Sequence, residues 1–391
     1  MLEPRNVTPI ASARPKVMEF FAGVGLARMG LESAGFQVTW ANDYEPDKHA
    51  LYERNFRDRE AGRDHIYRVG DVFGLDHDEL PRDAALAWGS SPCTDLSLAG
   101  TRGGLRSGES NAFWGFVDAL AALGEERPPV VVLENVVGLA TSHGGDDLTA
   151  AIRAFNDLGY SIDVLSIDAR RFLPQSRPRM FLVGALVPPA DAGEQVSALR
   201  PAQFSWVFND PTLRTHRAAL PDPPAPRTSG LESIMEKMSG NDSRWWEAER
   251  TESFMASLSS VQRDRVALLR KSSHVSYRTA YRRTRNGVAT WEVRPDEIAG
   301  CLRTARGGSS KQAVVKIEKG VVSVRWMTPL EYARLMGAED YNIQGTPASK
   351  VLFAFGDAVA VPAVEWLGSN YLMPLLKGHL AELESAASIA R

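Results

Sequence analysis

The sequence predicts an α/β protein: a doubly wound, mostly parallel sheet with a second, smaller domain. Three observations carry this. Between residues 16 and 185 short apolar runs alternate with helix-like stretches, the pattern of βαβ units. Within that span "PPVVVLENV" reads as a fully apolar, buried strand. After residue 185 the character changes: "VPPADAGEQ", "NDPT" and "LPDPPAPRTSG" are Pro-rich breaks, with irregular, aromatic and charged sequence between them.

The elements follow in order. "KVMEFF" is a strand and "GLARMGLESAG" a helix with a glycine stop. "FQVTWAND" is a strand, "PDKHALYERNF" a helix, and "HIYRVGDV" and "DAALAWGS" are strand-like. "NAFWGFVDALAALGEE" is an amphipathic helix, leading into "PPVVVLENV". "GDDLTAAIRAFNDLG" is a helix, and "YSIDVLSIDA" and "RMFLVGAL" are strands. The final "FGDAVAVPAVEWLGSNYLMPLLKGHLAEL" is helical. Ligands of such sheets sit at the carboxyl ends of the strands. Gly23, Asp43, Asp71, Cys93 and Glu134 each follow an apolar run, so they share that edge.

Composition narrows the function classes. Apolar residues make up 44% and charged residues 24% of the chain, and the net charge is −3. No global positive charge announces a nucleic acid, so any basic surface is local. Two distant cysteines exclude a disulfide framework and a four-ligand zinc site, which suits a reducing, cytoplasmic setting. No apolar run approaches the roughly 18 residues of a membrane span. The first fifteen residues lack the apolar core of a signal peptide and read as a disordered lead.

"MEFFAGVGLARMGLE" is a strand, a glycine turn and a helix. Gly23 and Gly25 let the backbone approach a ligand, with helix amides behind them. Arg28 stands where the dinucleotide fingerprint needs its third glycine; a plain tight turn is the alternative. Asp43 can accept both ribose hydroxyls of an adenosine-type ligand, Tyr44 can stack on adenine, and Asp71 can accept from an exocyclic amine. For either acid, a helix N-cap is the competing role. Cys93 leaves a strand into a long polar loop, where a thiol is exposed and reactive; a small buried hydrophobe is the usual alternative. Cys301 reads as structural. Glu134 ends a buried strand, where desolvation favours its neutral, proton-donating form. Arg177 and Arg179, two apart in "QSRPRMFLVG", share one strand face. They can hold a substrate phosphate or the Glu134 carboxylate. From Arg265 to Trp291 there are six arginines and one lysine but no acid. Cations interleaved with tyrosines there suit phosphate contacts and guanine readout; a solvated charged helix is the alternative.

In this order the blocks resemble the cytosine-C5 DNA methyltransferase family. "FFAGVGLARMGLE" is similar to its S-adenosylmethionine loop and "SPCTDLS" to its Pro-Cys nucleophile block. Glu134-Asn135-Val136 is similar to its Glu-Asn-Val, and Gln175, Arg177 and Arg179 to its Gln-x-Arg-x-Arg. "RTARGG", Arg303 to Gly308, resembles the block that closes the recognition region, and "FGDAVAVP" its final helix start. Leu26 stands where the family often has glycine, Asp357 where it has asparagine, and "GSSPCTDLS" departs from the commoner Phe-Pro-Cys-Gln.

The resemblance implies a class I, Rossmann-like methyltransferase that moves a methyl group from S-adenosyl-L-methionine to C5 of a flipped-out cytosine in a specific duplex site. Cys93 would add to C6, with Glu134, Arg177 and Arg179 as the other catalytic residues. The implied cofactor site is Phe20, Phe21, Ala22, Gly23, Gly25, Asp43, Tyr44, Asp71, Val72, Pro92, Asp357 and Ala358. The implied DNA contacts are Ser97, Arg102, Arg106, Arg278, Arg282, Arg283, Arg285, Arg303 and Arg306, with the polar loop Thr94–Ser110 closing over the DNA. The expected organisation is a lead over 1–15, a catalytic domain over 16–188, a target recognition domain over 189–345 and a helical return over 346–391. Double-stranded DNA is the expected partner of a monomer with no metal and no membrane contact, in a restriction-modification or phage-defence setting. A catalytically inactive DNA-binding regulator and a tRNA cytosine-5 methyltransferase are the competing functions; a nicotinamide dehydrogenase is disfavoured by Arg28 and the Pro-Cys loop.

Overall fold

The computed structural model describes residues 14–57, 65–92, 104–105, 107–193, 196–285, 288–304, 311–379 and 381, without the side chains of 284, 285, 288 and 289. Most of the expected lead, and Cys93, Ser97, Arg102, Arg106, Arg306 and the Arg285 side chain, lie outside the described residues.

Seven strands form the first sheet: β1 (Lys16–Phe20), β2 (Gln37–Asp43), β3 (Ile66–Val69), β4 (Leu86–Gly89), β5 (Val130–Val136), β6 (Ser161–Asp168) and β7 (Pro178–Ala185), in the order β3-β2-β1-β4-β5-β7-β6. All pairs are parallel except those of β7, which runs antiparallel between β5 and β6. Segment 169–177 alone joins β6 to β7, whereas a parallel pair needs a crossover of about a dozen residues or more.

Helices cover both faces. α1 (Leu26–Ser33) and α2 (Pro46–Phe56) lie on one face, and α3 (Ala112–Ala122) and α4 (Asp146–Asp157) on the other. Val130 and Val132 of β5 enter the core with Leu31 and Leu51, while Val131 and Leu133 enter the core with Phe116 and Phe155. That is why this strand is apolar at consecutive positions. Each such side chain contributes about 1.5–3 kcal/mol by burial.

The region read as irregular holds α5 (Ser205–Asn209), α6 (Ala248–Ala256), α7 (Ser260–Arg270) and a second sheet. Its strands are β8 (Ser276–Arg285), β9 (Val288–Val293), β10 (Ala313–Glu318) and β11 (Val321–Trp326), in the antiparallel order β11-β10-β8-β9. The turn joining β10 to β11 is Lys319-Gly320, both at positive φ (50° and 81°), as a two-residue hairpin requires. Lysine in place of the usual asparagine hides this turn in the sequence. The core of the second sheet draws on residues from Phe254 to Val324. Leu199, Phe204, Val207 and Leu213 pack instead into the cores of the first sheet.

The chain then returns to the first sheet through α8 (Pro329–Leu335), α9 (Ala348–Asp357) and α10 (Val361–Leu367). A Cβ on Gly30 of α1 would stand 2.6 Å from the Val364 Cβ, so α1 and α10 touch at backbone distance. The stretch Ala348–His379 is long and apolar enough to cross a membrane by composition, but 67% of its most apolar window is buried inside the protein. The sheet core therefore accounts for its apolar character.

Candidate active site

The carboxyl edge of the parallel strands carries a backbone cradle. After β1 the chain turns through Phe21, Gly23 and Gly25, all at positive φ (57°, 56° and 76°), which the glycines adopt freely and which costs strain only at Phe21. Asp43, at the end of β2, is 4% exposed. Its Oδ2 accepts from Gly23 N and its Oδ1 from Glu45 N, both at 2.9 Å. Burial pushes the Asp43 carboxyl above its ordinary range, with Lys48 and the two amides opposing that shift. A Cβ on Gly23 would meet nothing nearer than Lys48 Cδ at 3.9 Å and Asp43 Oδ2 at 4.0 Å. The space above the turn is therefore open. Exposed Tyr44 and Phe73 stand at this edge. The cradle, an anchored carboxylate and exposed rings fit an adenosine group without phosphates.

The second cluster lies at the ends of β4 and β5. Glu134 is buried, and Arg179 Nε of the neighbouring β7 stands 3.0 Å from its Oε1. Burial raises the Glu134 carboxyl above its ordinary value; the Arg179 and Arg177 charges and hydrogen bonds from Ser90 and Arg179 oppose the rise. Ser90 is itself fixed by Trp88 Nε1 at 2.9 Å. Asn135 Nδ2 donates to Ser91 Oγ at 3.1 Å, and Asn135 Oδ1 accepts from Val136 N at 2.8 Å. Asn135 thus ties the chain entering Pro92 to the strand that bears Glu134. In the sequence these contacts of Asn135 and the two serines are hidden, because serines before a turn carry no distinctive signal.

Several expected residues have structural partners of their own. Phe20 is in the core against Trp40 and Phe116, so its side chain does not reach the cradle. A Cβ on Gly25 would overlap the Phe56 ring at 2.4 Å and the Tyr52 ring at 2.8 Å; that glycine serves packing against α2. Asp71 Oδ1 caps the short turn after β3 by accepting from Phe73 N at 3.0 Å, the competing role for that acid. Val72 is buried under Gly115 of α3. Arg177 precedes β7, and its charge acts with that of Arg179 on both Glu134 and Cys301. Its guanidinium is buried and donates to Leu302 O (2.8 Å), Gly356 O (3.2 Å), Ala358 O and Cys301 Sγ (3.3 Å). It is a strut joining three segments. Burial pushes the Cys301 thiol up, but the Arg177 and Arg179 charges outweigh this and hold it below its usual value. A Cβ on Gly356 would stand 2.4 Å from the Arg303 backbone, so the "RTARGG" and "FGDA" blocks close on each other there. Leu26 starts α1 and is buried, and Asp357, in place of asparagine, pairs with Lys48 at 2.8 Å.

The basic run is no helix beyond Arg270; it continues into β8 and β9. Arg278 is buried against Glu297 at 2.9 Å, which removes it from the expected DNA contacts. Arg282 and Arg283 are exposed but successive in a strand, so they address opposite faces. Arg282 opposes Trp291, and Arg283 pairs with Glu292 at 3.2 Å. Both partner acids lie just past the acid-free stretch, out of sight of a window on the run. Arg303 is exposed.

Residues 15–372 match the family model described as C-5 cytosine-specific DNA methylase. The Type II methyltransferase M.Bsp6I of Bacillus sp. (strain RFL6) is 24% identical over 92% of this chain and 99% of its own length. The Type II methyltransferase M.AgeI of Thalassovita gelatinovora is 31% identical over 54% of this chain and 51% of its own length; the chain thus spans only about half of that relative. Among solved structures the S. pombe Dnmt2 methyltransferase superposes with a TM-score of 0.57 at 18% identity, over 93% of this chain and 99% of that one, a likeness of fold.

Proposed function

The chain belongs to the C-5 cytosine-specific DNA methylase family, and from that premise we propose that it methylates C5 of a flipped-out cytosine in duplex DNA, using S-adenosyl-L-methionine. The observation that carries this reading is the buried Glu134–Arg179 pair on the same strand edge as the Gly23–Asp43 cradle. Phe21, Ala22, Gly23, Asp43, Tyr44, Pro92 and Ala358 would hold the cofactor, which when bound supplies an electrophilic methyl group on a sulfonium. The target carbon is out of reach inside a duplex, so the base is extruded at a cost of about a few kcal/mol.

In this reading the Cys93 thiolate bonds to C6, and C5 becomes electron-rich. Glu134, whose carboxyl burial shifts towards its protonated form, donates to N3 of the ring as C6 is attacked. Arg179 orients Glu134, and Arg177 is a positioning residue that holds the backbone around both. Once C5 carries the methyl group, with the donor released as a neutral thioether, C5 gives its proton to solvent. The C5–C6 double bond re-forms as the C6–S bond breaks to return the thiolate, and the N3 proton goes back to Glu134. We assign target recognition to the body built on β8–β11 and propose a restriction-modification or phage-defence setting, of which the relatives' description as Type II methyltransferases supports the first. Labelled methyl transfer to duplex DNA, with tRNA as the competing substrate, tests the reading; transfer to tRNA alone overturns it.

Cofactor binding should depend on Asp43. Loss of a carboxylate that accepts hydroxyls removes hydrogen bonds of about 1.5–3 kcal/mol. Asp43→Ala is expected to weaken cofactor about tenfold or more in calorimetry and to leave DNA affinity in place. It also frees Gly23 N and Glu45 N, so the turn itself loosens.

For the recognition body, each phosphate contact contributes about 0.9 to the slope of log K against log salt. Because Arg282 and Arg283 face opposite ways, removing both to alanine is expected to flatten the slope by about one unit, with Arg282 carrying most of it. Arg283 is partly neutralised by Glu292. A titration of DNA binding against salt checks this, and an unchanged slope places recognition elsewhere in the body.

A further inference from the structure

Three charges lie in a row beside the glycine turn: Asp43 at the end of β2, Lys48 on α2 and Asp357 at the end of α9. Lys48 Nζ meets Asp357 Oδ2 at 2.8 Å. The Lys48 side chain is only 11% exposed and that of Asp357 38%. The Lys48 stem and Asp43 Oδ2 both approach the point where a Cβ on Gly23 would stand, at 3.9 and 4.0 Å. A buried lysine is held by a partner or loses its charge. Asp357 pairs with the ammonium directly; Asp43 comes within 4.0 Å of the same point as the Lys48 stem and feels its charge, and of the two acids only Asp43 also carries the amide of the cradle. Lys48 is thus placed to act on the site rather than only to bridge two helices. The sequence showed a plain lysine in a helix and an acid where the resembling family has asparagine; the fold makes them one unit.

We propose that Lys48 is a positioning residue for the methyl donor: clamped by Asp357, its ammonium balances the charge of the Asp43 carboxylate and fixes it towards the ribose. The inference rests on the reading that this cradle takes the cofactor.

The other charged groups around Asp43 and Lys48 are known. Asp47 shares α2 and pairs with Lys350 of α9 at 2.8 Å. Tyr44 and Glu45 flank Asp43. Tyr67 of β3 donates to Gly23 O at 3.3 Å, and buried Glu19 lies on β1. Both tyrosines are pushed upward, by burial first and then by acids, so they stay neutral across the neutral range. Lys48 opposes the upward shift that burial imposes on Asp43. Without it, Asp43 takes up a proton at higher pH and stops accepting hydroxyls as pH falls.

The test uses calorimetric binding of S-adenosylhomocysteine to the full chain between pH 6 and 9. Lys48→Met is expected to weaken binding roughly tenfold at pH 7, by more at pH 6 and by less at pH 9. Lys48→Arg should stay within about twofold, because it keeps the charge. On an Asp43→Asn background, Lys48→Met should add little. If Lys48→Met binds with wild-type affinity and pH profile, or weakens the Asp43→Asn protein as much as the wild type, the inference falls and the pair merely joins two helices. If Asp43→Asn alone leaves binding unchanged, the reading of the cradle falls as well. Should Lys48→Met fail to fold, because Asp357 is left unpaired, Lys48→Met with Asp357→Asn removes both charges and is held to the same expectations.

Discussion

Duplex DNA carrying 5-fluorocytosine at the target site should trap this methyltransferase as a denaturation-resistant adduct in the presence of cofactor. Release from a C6–thiol adduct requires C5 to shed hydrogen as a proton, and fluorine does not leave that way. The chain has two cysteines, so the experiment discriminates between them. Cys93→Ser should abolish both the adduct and turnover. Cys301→Ser should keep the adduct, since the Cys301 sulfur is engaged with Arg177 and with Leu302 O at 3.3 Å. An adduct that survives in Cys93→Ser and vanishes in Cys301→Ser would reverse the assignment.

The second large effect is expected at Glu134. Removing a positioned proton donor costs about 10²–10⁴-fold in rate, so Glu134→Ala should lose that much kcat with little change in cofactor affinity. The pH profile carries the sign. Burial favours the protonated carboxyl, and Arg179 and Arg177 oppose that. Activity that needs the proton is present at low pH and lost as pH rises through the Glu134 pKa. Arg179→Met removes the cation nearest the carboxylate, so the falling limb should move to higher pH even as kcat drops. A falling limb that stays in place in Arg179→Met, or moves down, would mean that another group sets it.

The first sheet was legible because its signal is local. Strand–helix alternation, glycine stops and an all-apolar β5 are read within a dozen residues, and a carboxylate at the end of such a strand falls on the ligand edge by topology alone. Thus Asp43 and Glu134 could be placed on that edge before any contact was known. The reversal of β7 was also within reach, since segment 169–177 is too short to cross over, but it needed the strand boundaries first. The second sheet was not legible. Its hairpin turns on Lys319-Gly320, which is no strong turn signal, and its strands carry arginines on both faces.

Local pattern along the chain therefore carries the α/β alternation, the order of the motif blocks, and the residue types available for nucleophile, proton donor and ribose acceptor. Which charges meet is settled by the fold. Arg177 and Arg179 are two residues apart, yet one props carbonyls from the far end of the chain while the other holds Glu134. Arg278 and Arg283 look unpaired until Glu297 and Glu292 fold beside them. Lys48 and Asp357 are separated by 309 positions and become one ion pair. Hydrophobic pattern is set by chain periodicity, so a sequence displays it. Pairing of charges is set by distance in space and by the loss of water around them, which only the folded chain fixes.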